Sequence, residues 1–528
     1  MPKPKTSAGS AGVGLGAGGE SRPCRATVLL LALAGTGIVL FSTAKYGAGL
    51  STDSVAYLDV ARSLVSGKGF VIHTGTQVVW WPPLYPMLLA FIQLATELDP
   101  ASFAQIVNAV LFALVLLLSA GLFQAAFPGN VACSLLGVGT VLLSVPLSDV
   151  YAMAWSECLF IPLVLAYLLC AQRYWRRRDA LSLAGLTLSA AFACLTRYIG
   201  LVLVLCGVLT VMLVSGADFK TRFTRAFAFA GLSLLPLGFW AARNYWLTGT
   251  FFGSRGLFRN TFADSINASV ETIVSWYASG PALALVVLAA IVVLTMAVLS
   301  TRTAIGRLSE GLKVILAGHF PTLLFPVVYF PALLLAATRD ATVDSRTLSP
   351  IYIPATLVLL MLVFRLLGSP KYAPAAIVRR IPAFLLVLWL CSSLVSVAQL
   401  TARRFRNGAG GYSTRTCHES ATLACARRML SSSRVRVYSN YPDVLWAIAG
   451  MNSTETPNRT KARPNDLVGR WPAENGSILI WFNNKTWRTW LLSLDELRDA
   501  ANIEEIARLS DGAIYRISVR DTAAAVRQ

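Results

Sequence analysis

Charge is scarce in this sequence. Only 14% of its 528 residues are Asp, Glu, Lys or Arg, against about 25% in soluble domains. With 55% hydrophobic residues beside so few charges, the chain cannot hide its apolar surface from water by folding into a soluble globule. Acidic residues are fewer than basic ones, 26 against 46. The basic excess falls in short clusters between apolar runs, not in one patch with interleaved aromatics, which argues against nucleic acid as a partner. Histidine occurs three times, scattered at His73, His319 and His418, and no His/Cys/Asp group has metal-ligand spacing. Cys133, Cys158, Cys170, Cys194, Cys206 and Cys391 lie in or beside apolar segments, where a thiol behaves as a small hydrophobe. Cys417 and Cys425, if on one continuous helix, sit about 12 Å apart, beyond disulfide reach.

Long apolar runs are what the chain has in quantity. They cover Ala26–Ala44, Leu84–Leu98, Phe103–Phe127, Val131–Val145, Met153–Cys170, Leu181–Leu195, Ile199–Val214, Phe227–Tyr245, Ala282–Leu299, Val314–Ala337, Pro350–Leu367 and Ile381–Leu400. Crossing a hydrocarbon core takes about 20 helical residues, so the pattern predicts a polytopic all-α membrane protein with about eleven transmembrane helices and the lipid bilayer as its solvent. Residues 1–25 are rich in Gly, Ala and Ser and read as a disordered tail. The first apolar run lacks a convincing cleavage site and reads as a retained anchor. Residues 26–400 form the membrane domain and 401–528 a small soluble α/β domain. In that domain Arg434–Ser439, Ile478–Phe482 and Ala513–Val519 read as strands, and an S-x-x-E capping box at Ser493 and Glu496 opens a helix towards Leu509.

Lys and Arg clusters set the orientation. Arg173, Arg176, Arg177 and Arg178, then Lys220, Arg222 and Arg225, then Arg302, Arg307 and Lys313, then Arg365, Lys371, Arg379 and Arg380 fall on one side, the cytoplasm. The first loop, 45–82, and the tail then lie outside, in a plasma or bacterial inner membrane. Parity requires one of the segments between Leu84 and Val145 not to cross fully, and the short Val131–Val145 stretch is the candidate for a re-entrant or half-membrane helix. Arg403, Arg404 and Arg406 follow the last segment on the predicted outer side, against the rule.

Ionisable groups at membrane depth are costly and mark functional cavities. Asp53, Asp59, His73, Asp149, Glu157, Arg197, Arg243, Asp340, Asp344 and Arg346 all fall at or near the predicted outer ends of segments. Asp53 is either the N-cap of the helix that follows or a general base at a cavity mouth. Asp149 and Glu157 are either ordinary helix-start acids or partners of Arg197, which has no long loop in which to reach water. Arg243 and Arg346 suit a phosphate as well as nonspecific lipid headgroups. Tyr57, His73 and Tyr85, on the first loop and its exit, are candidate substrate contacts. Arginines beside carboxylates on one face provide what transfer from a phosphate-activated lipid needs: guanidiniums for the departing phosphate and a carboxylate for the acceptor's proton.

At these residues the sequence resembles the polyprenyl-phosphate-dependent glycosyltransferases of the GT-C fold, including protein O-mannosyltransferases and aminoarabinose transferases. The resemblance rests on D-S-V-A-Y-L-D-V-A-R from Asp53, W-P-P-L-Y-P from Trp81, S-E-C-L-F from Ser156, T-R-Y-I-G from Thr196, P-x-x-x-W-x-x-R-N from Pro236 to Asn244, and R-T-L-S-P-I-Y from Arg346. It implies a GT-C-like fold with an outward cavity fed by a polyprenyl-phosphate-linked sugar, and a hydroxyl-bearing acceptor on a protein, lipid or glycan. It implies Asp53 as the catalytic carboxylate and Arg197, Arg243 and Arg346 holding the donor phosphate; the reading built on it has Asp149 or Glu157 positioning the acceptor or a divalent cation. Ser54 stands where many relatives carry a second acid, and Trp81 where a histidine often precedes the paired prolines. Rival readings are a transporter or lipid flippase, which calls for mid-membrane charges and internal repeats, and a non-catalytic assembly subunit of the same fold.

Overall fold

A computed structural model describes residues 22–214, 216–253, 261–277, 303–338, 342–367, 376–430, 435–459, 463–483 and 488–520. The apolar segment 282–299, the acid Asp340 and the tail 1–21 lie outside the described residues.

The membrane domain runs α1 (Arg22–Thr43), α2 (Thr52–Val65), α3 (Leu84–Thr96), α4 (Pro100–Ala126), α5 (Val131–Leu142), α6 (Val145–Ala152), α7 (Glu157–Arg177), α8 (Ala180–Thr196), α9 (Leu201–Leu213), α10 (Phe219–Thr248), α11 (Phe262–Tyr277), α12 (Thr303–Ala337), α13 (Ser345–Leu367) and α14 (Ala376–Asn407). Among the described residues, six helices are long and apolar enough to cross a membrane. The bent pair α5–α6 adds a seventh if it counts as one span, and three apolar helices are shorter. The chain is thus a multi-pass membrane protein. Leu29, Leu30, Leu33, Phe91, Phe227 and Phe239 stand exposed along the helices, a distribution suited to lipid and foreign to a water-facing surface.

The segment singled out for irregularity is the bent one: α5 and α6 meet at 50° across a two-residue break. Ser144 caps α6 by accepting from Leu147 N, and Pro146 sits in its first turn, which is where a proline costs no hydrogen bond. α6 ends early, at Ala152. Asn108 of α4 donates through Nδ2 to the carbonyls of Tyr151 and Met153 at 3.1 and 2.7 Å, so the groups freed by that ending are not left unpaired in an apolar surround. α1 packs on α4, α4 on α7 and α7 on α8. Gly137 lets α5 approach α4, since a Cβ there would enter the Phe123 ring.

α14 continues to Asn407 and hands over to a domain of α15 (Arg415–His418), α16 (Ala421–Leu430), α17 (Pro442–Ala449), α18 (Pro464–Leu467) and α19 (Leu494–Ala500) around a five-stranded sheet. After the short hairpin β1 (Gly408–Gly410) and β2 (Ser413–Thr414) come β3 (Val437–Ser439), β4 (Thr454–Glu455), β5 (Ser477–Phe482), β6 (Ala501–Leu509) and β7 (Gly512–Val519), in the spatial order β4-β3-β5-β7-β6. β3 is parallel to β4 and β5, and the other pairs are antiparallel. The Ser493 capping box forms, with Ser493 Oγ accepting from Glu496 N at 3.3 Å. The helix towards Leu509 does not: it stops at Ala500, and 501–509 pairs with 512–519 as a hairpin closed at Ser510-Asp511. Ladder pairing across that turn overrides the local helical signal. Alternate residues of the sheet face different cores. Ile478, Ile480, Phe482 and Ile514 share one hydrophobic cluster with Leu50, Val55, Tyr57, Tyr85 and Phe103 of the membrane domain, while Leu479, Tyr515 and Ile517 form a cluster on the other face.

Candidate active site

α2 begins at a true cap, and the cap is not Asp53. Ser51 Oγ accepts from Ser54 N at 3.3 Å, and Ser54 Oγ accepts from Ser51 N at 3.1 Å. This corrects the reading of Asp53 as N-cap: the reciprocal serine pair satisfies the helix start. Asp53, in the first turn, is free to face Arg346, whose Nη1 lies 2.8 Å from Asp53 Oδ2. Ser54, the departure from the second acid, has this capping role.

Arg346 stands at the start of α13 and is the hub of the site. Its Nε donates to Glu157 Oε1 at 2.6 Å, and its guanidinium lies 4.5 Å from the centroid of the Trp155 ring. Glu157 opens α7 and is fully buried. It also receives Arg197, whose Nη1 is 2.5 Å from the same carboxylate oxygen. Arg197 sits in the break between α8 and a short 3-10 turn, and donates to Ser156 Oγ at 3.0 Å. Tyr57, one turn along α2 from Asp53, has its hydroxyl 3.3 Å from Ser156 Oγ. Burial, and then the neighbouring Asp53 carboxylate, push the Tyr57 phenol well above its ordinary range, so it stays protonated. Tyr85 packs edge-on against Tyr57, with centroids 5.2 Å apart.

Asp53, Glu157, Arg197, Arg346, Tyr57 and Tyr85, separated by nearly three hundred residues, therefore meet in one place. Three further candidates lie elsewhere. Asp149 is a correction: on α6 it turns to the buried Arg404 of α14, which also donates to Ser148 O and Oγ at 2.9 Å. That pairing accounts for one arginine on the side where the charge rule forbids it. Arg243 makes no ion pair to the Asp53–Glu157 group. It lies over Trp240 and Phe70, at 4.5 and 5.1 Å from their centroids, and donates to Val78 O at 3.0 Å. His73 meets Asp59 rather than the arginines, Nδ1 to Oδ2 at 2.5 Å. Trp155 and Trp446 were not singled out. Trp155 stands two residues before Glu157 in A-W-S-E, a signal that was available, and Trp446 carries none; Ser156, which opens the S-E-C-L-F motif, joins the site through Arg197 and Tyr57.

Beside Arg243, Phe70, Pro83, Met87, Leu195, Pro236, Phe239 and Trp240 line an open groove of about 320 Å³ that is apolar except at its arginine end. Trp240 Nε1 donates to Tyr198 Oη at 3.2 Å, and Tyr198 adjoins Arg197, so groove and ion-pair chain are neighbours. The two carboxylates do not fit a divalent cation, because the guanidinium of Arg346 already lies between Asp53 and Glu157 and engages both. Among the described residues no group of three His, Cys, Asp or Glu is placed to hold a metal.

The helical membrane domain with its C-terminal α/β domain has a GT-C-like fold, the fold of the solved glycosyltransferases on which it superposes. One solved structure of this likeness is ArnT from Cupriavidus metallidurans. In its apo state it superposes with a TM-score of 0.60 at 10% identity, over 93% of this chain and 98% of that one. The form bound to undecaprenyl phosphate gives 0.56 at 12% identity over 92% and 97%. The oligosaccharyltransferase AglB from Archaeoglobus fulgidus, solved with an inhibitory peptide and a dolichol-phosphate, gives 0.50 at 12% identity over 87% and 69%. Likeness at this level of identity establishes the fold. No protein-family model and no curated protein matches the sequence.

Proposed function

We propose that the protein transfers a sugar from a polyprenyl-phosphate donor to an acceptor hydroxyl on the extracytoplasmic side of a plasma or bacterial inner membrane. The chain Asp53–Arg346–Glu157–Arg197 carries this reading. Two carboxylates against two guanidiniums leave it without net charge, so an arriving phosphate must compete for a guanidinium. Glu157 is fully buried and cannot leave, whereas the Asp53 side chain is 27% exposed. The phosphate takes Arg346 from Asp53, and Asp53 is released as donor binds. The acceptor oxygen then bonds to the anomeric carbon, the carbon–oxygen bond to phosphate breaks with its electron pair going to the phosphate, and Asp53 takes the acceptor's proton. Arg346 and Arg197 stabilise the departing charge. Glu157 orients both arginines and does not itself reach the acceptor.

Two further observations support the reading. The apolar groove beside Arg243 suits a polyprenyl chain, and the ArnT and AglB structures hold undecaprenyl phosphate and dolichol-phosphate, both polyprenyl phosphates. The proposed side follows from α7, which has Glu157 at one end and Arg176 and Arg177 at the other, about 30 Å apart along the helix. The test is transfer in lipid nanodiscs from hexosyl and pentosyl polyprenyl phosphates. Asp53→Asn should abolish transfer at unchanged protein level; an active variant removes Asp53 from the chemistry, and a wild type inert with every donor sinks the reading.

A further inference from the structure

α2 is held from above as well as from within the bundle. Thr52, the residue before Asp53, has its hydroxyl 2.8 Å from Tyr412 Oη and donates to Asp443 Oδ2 at 3.2 Å. Tyr412 Oη donates to the same Asp443 oxygen at 2.7 Å. Arg488, almost wholly buried, pairs with both Asp443 and Glu455. Two turns further along, Asp59 Oδ1 accepts from Trp446 Nε1 at 2.5 Å, and Trp446 stacks on His73 with centroids 4.5 Å apart. Thr52 and Asp59 are seven apart and lie on one face of α2; Asp443 and Trp446 are three apart and lie on one face of α17. α17 of the soluble domain therefore meets α2 at two points, and the cluster joining Tyr57 and Tyr85 to Ile478 and Ile514 fills the space around them. The connection is also made through the backbone: Tyr412 N donates to Leu50 O at 2.7 Å, where Gly411, at φ +58, passes so close that a Cβ would meet that carbonyl.

We propose that the C-terminal domain is a working part of the active site, with Asp443 and Trp446 as positioning residues that fix where α2 presents Asp53. A hydrogen bond of 2.8 Å does not survive a shift of about 1 Å, and a misplacement of that size at a reacting group costs about a hundredfold in rate. Neither side chain contacts the ion-pair chain, so both act through Thr52 and Asp59. The catalytic part of this inference rests on Asp53 being the base; the mechanical part does not.

The experiment uses the full chain in lipid nanodiscs. Thr52→Val, Asp443→Asn and Trp446→Phe are compared with wild type and with Glu474→Gln, a change in an exposed ion pair to Arg436. Amide hydrogen exchange over 51–65 should quicken about tenfold in the first three, the equivalent of losing one hydrogen bond, with strands 477–482 and 512–519 unchanged. In sugar transfer, kcat should fall about 10- to 100-fold with donor KM within about twofold, and Thr52→Ser, which restores the hydroxyl, should recover most of it. Unchanged exchange over 51–65 in both Thr52→Val and Asp443→Asn overturns the proposal whatever the activity, as does loosened α2 with unchanged kcat. If Asp443→Asn loosens the whole soluble domain, Thr52→Val, made on the membrane side of the contact, decides. Loosened α2 in a wild-type background that transfers no sugar supports the clamp and defeats the proposed function alone.

Discussion

Arg346→Lys keeps the charge and removes the fork. In the native site one guanidinium reaches Glu157 through Nε, Asp53 through Nη1 and the Trp155 face at once. An ammonium is a single point charge and cannot hold two divergent carboxylates and a ring together. If one of those directions is used by the donor phosphate during transfer, the loss is one charge-assisted hydrogen bond, about 1.5–3 kcal/mol. At about 1.4 kcal/mol per decade, kcat/KM falls about 10- to 150-fold. Stability moves less, because the lysine still neutralises Glu157 beside Arg197. Arg346→Ala is the poorer test, since stripping a partner from a buried carboxylate costs about 3–5 kcal/mol and confuses fold with chemistry. Initial rates over a range of donor concentrations, with thermal unfolding run in parallel, give both quantities. A lysine variant within about twofold of wild type in kcat/KM refutes the assignment of Arg346 to the phosphate.

Asp149→Asn should leave transfer within about twofold while lowering stability by about 1–3 kcal/mol, because Arg404 loses its counter-ion but keeps Ser148; thermal unfolding and initial rates check the two halves, and a large loss of rate returns Asp149 to the site. In the C-terminal domain, burial raises the Asp511 carboxyl, but the Ser420 hydroxyl and the Thr422 hydroxyl and amide outweigh it and hold the group below the usual carboxylate range. A folded value below the unfolded one, about 3.9, means that this contribution is fully present above the unfolded value and disappears as pH falls through the folded one. Unfolding profiles from about pH 7 to pH 3 should show an acid limb that Asp511→Asn reduces; identical limbs in the two proteins refute the linkage.

Much of the site was legible because its signals are local. Glu157 and Arg197 stand in or beside apolar runs that leave their charges nowhere to go but to a partner, and R-T-L-S-P-I-Y marks the arginine that joins them to Asp53. What was not legible depends on contacts between distant segments. Asp149 and Glu157 look alike as acids near a helix start, and only the break that Asn108 supports between α6 and α7 sends one to Arg404 and the other to Arg346. Ser51 and Ser54 hide as an ordinary S-x-x-S, which leaves Asp53 open to reading as either cap or base. Residues 501–509 begin as a helix does and carry a bulge between Glu505 and Ala507 that spoils the strand alternation; the hairpin partner alone decides the outcome. Nothing in the tail marks Asp443 or Trp446, because each matters only through α2.

The pairing of Leu50 with Tyr412 has a bearing on the order in which the chain is made. The loop bearing Asp53 emerges early, but the backbone that braces it arrives some three hundred and sixty residues later, after the last membrane helix has been inserted. A nascent protein, or one cut short before Tyr412, thus carries Asp53, Glu157, Arg197 and Arg346 yet lacks the backbone contact at Leu50. Under the proposed function, only chains extended past Tyr412 would hold Asp53 in the position that transfer needs.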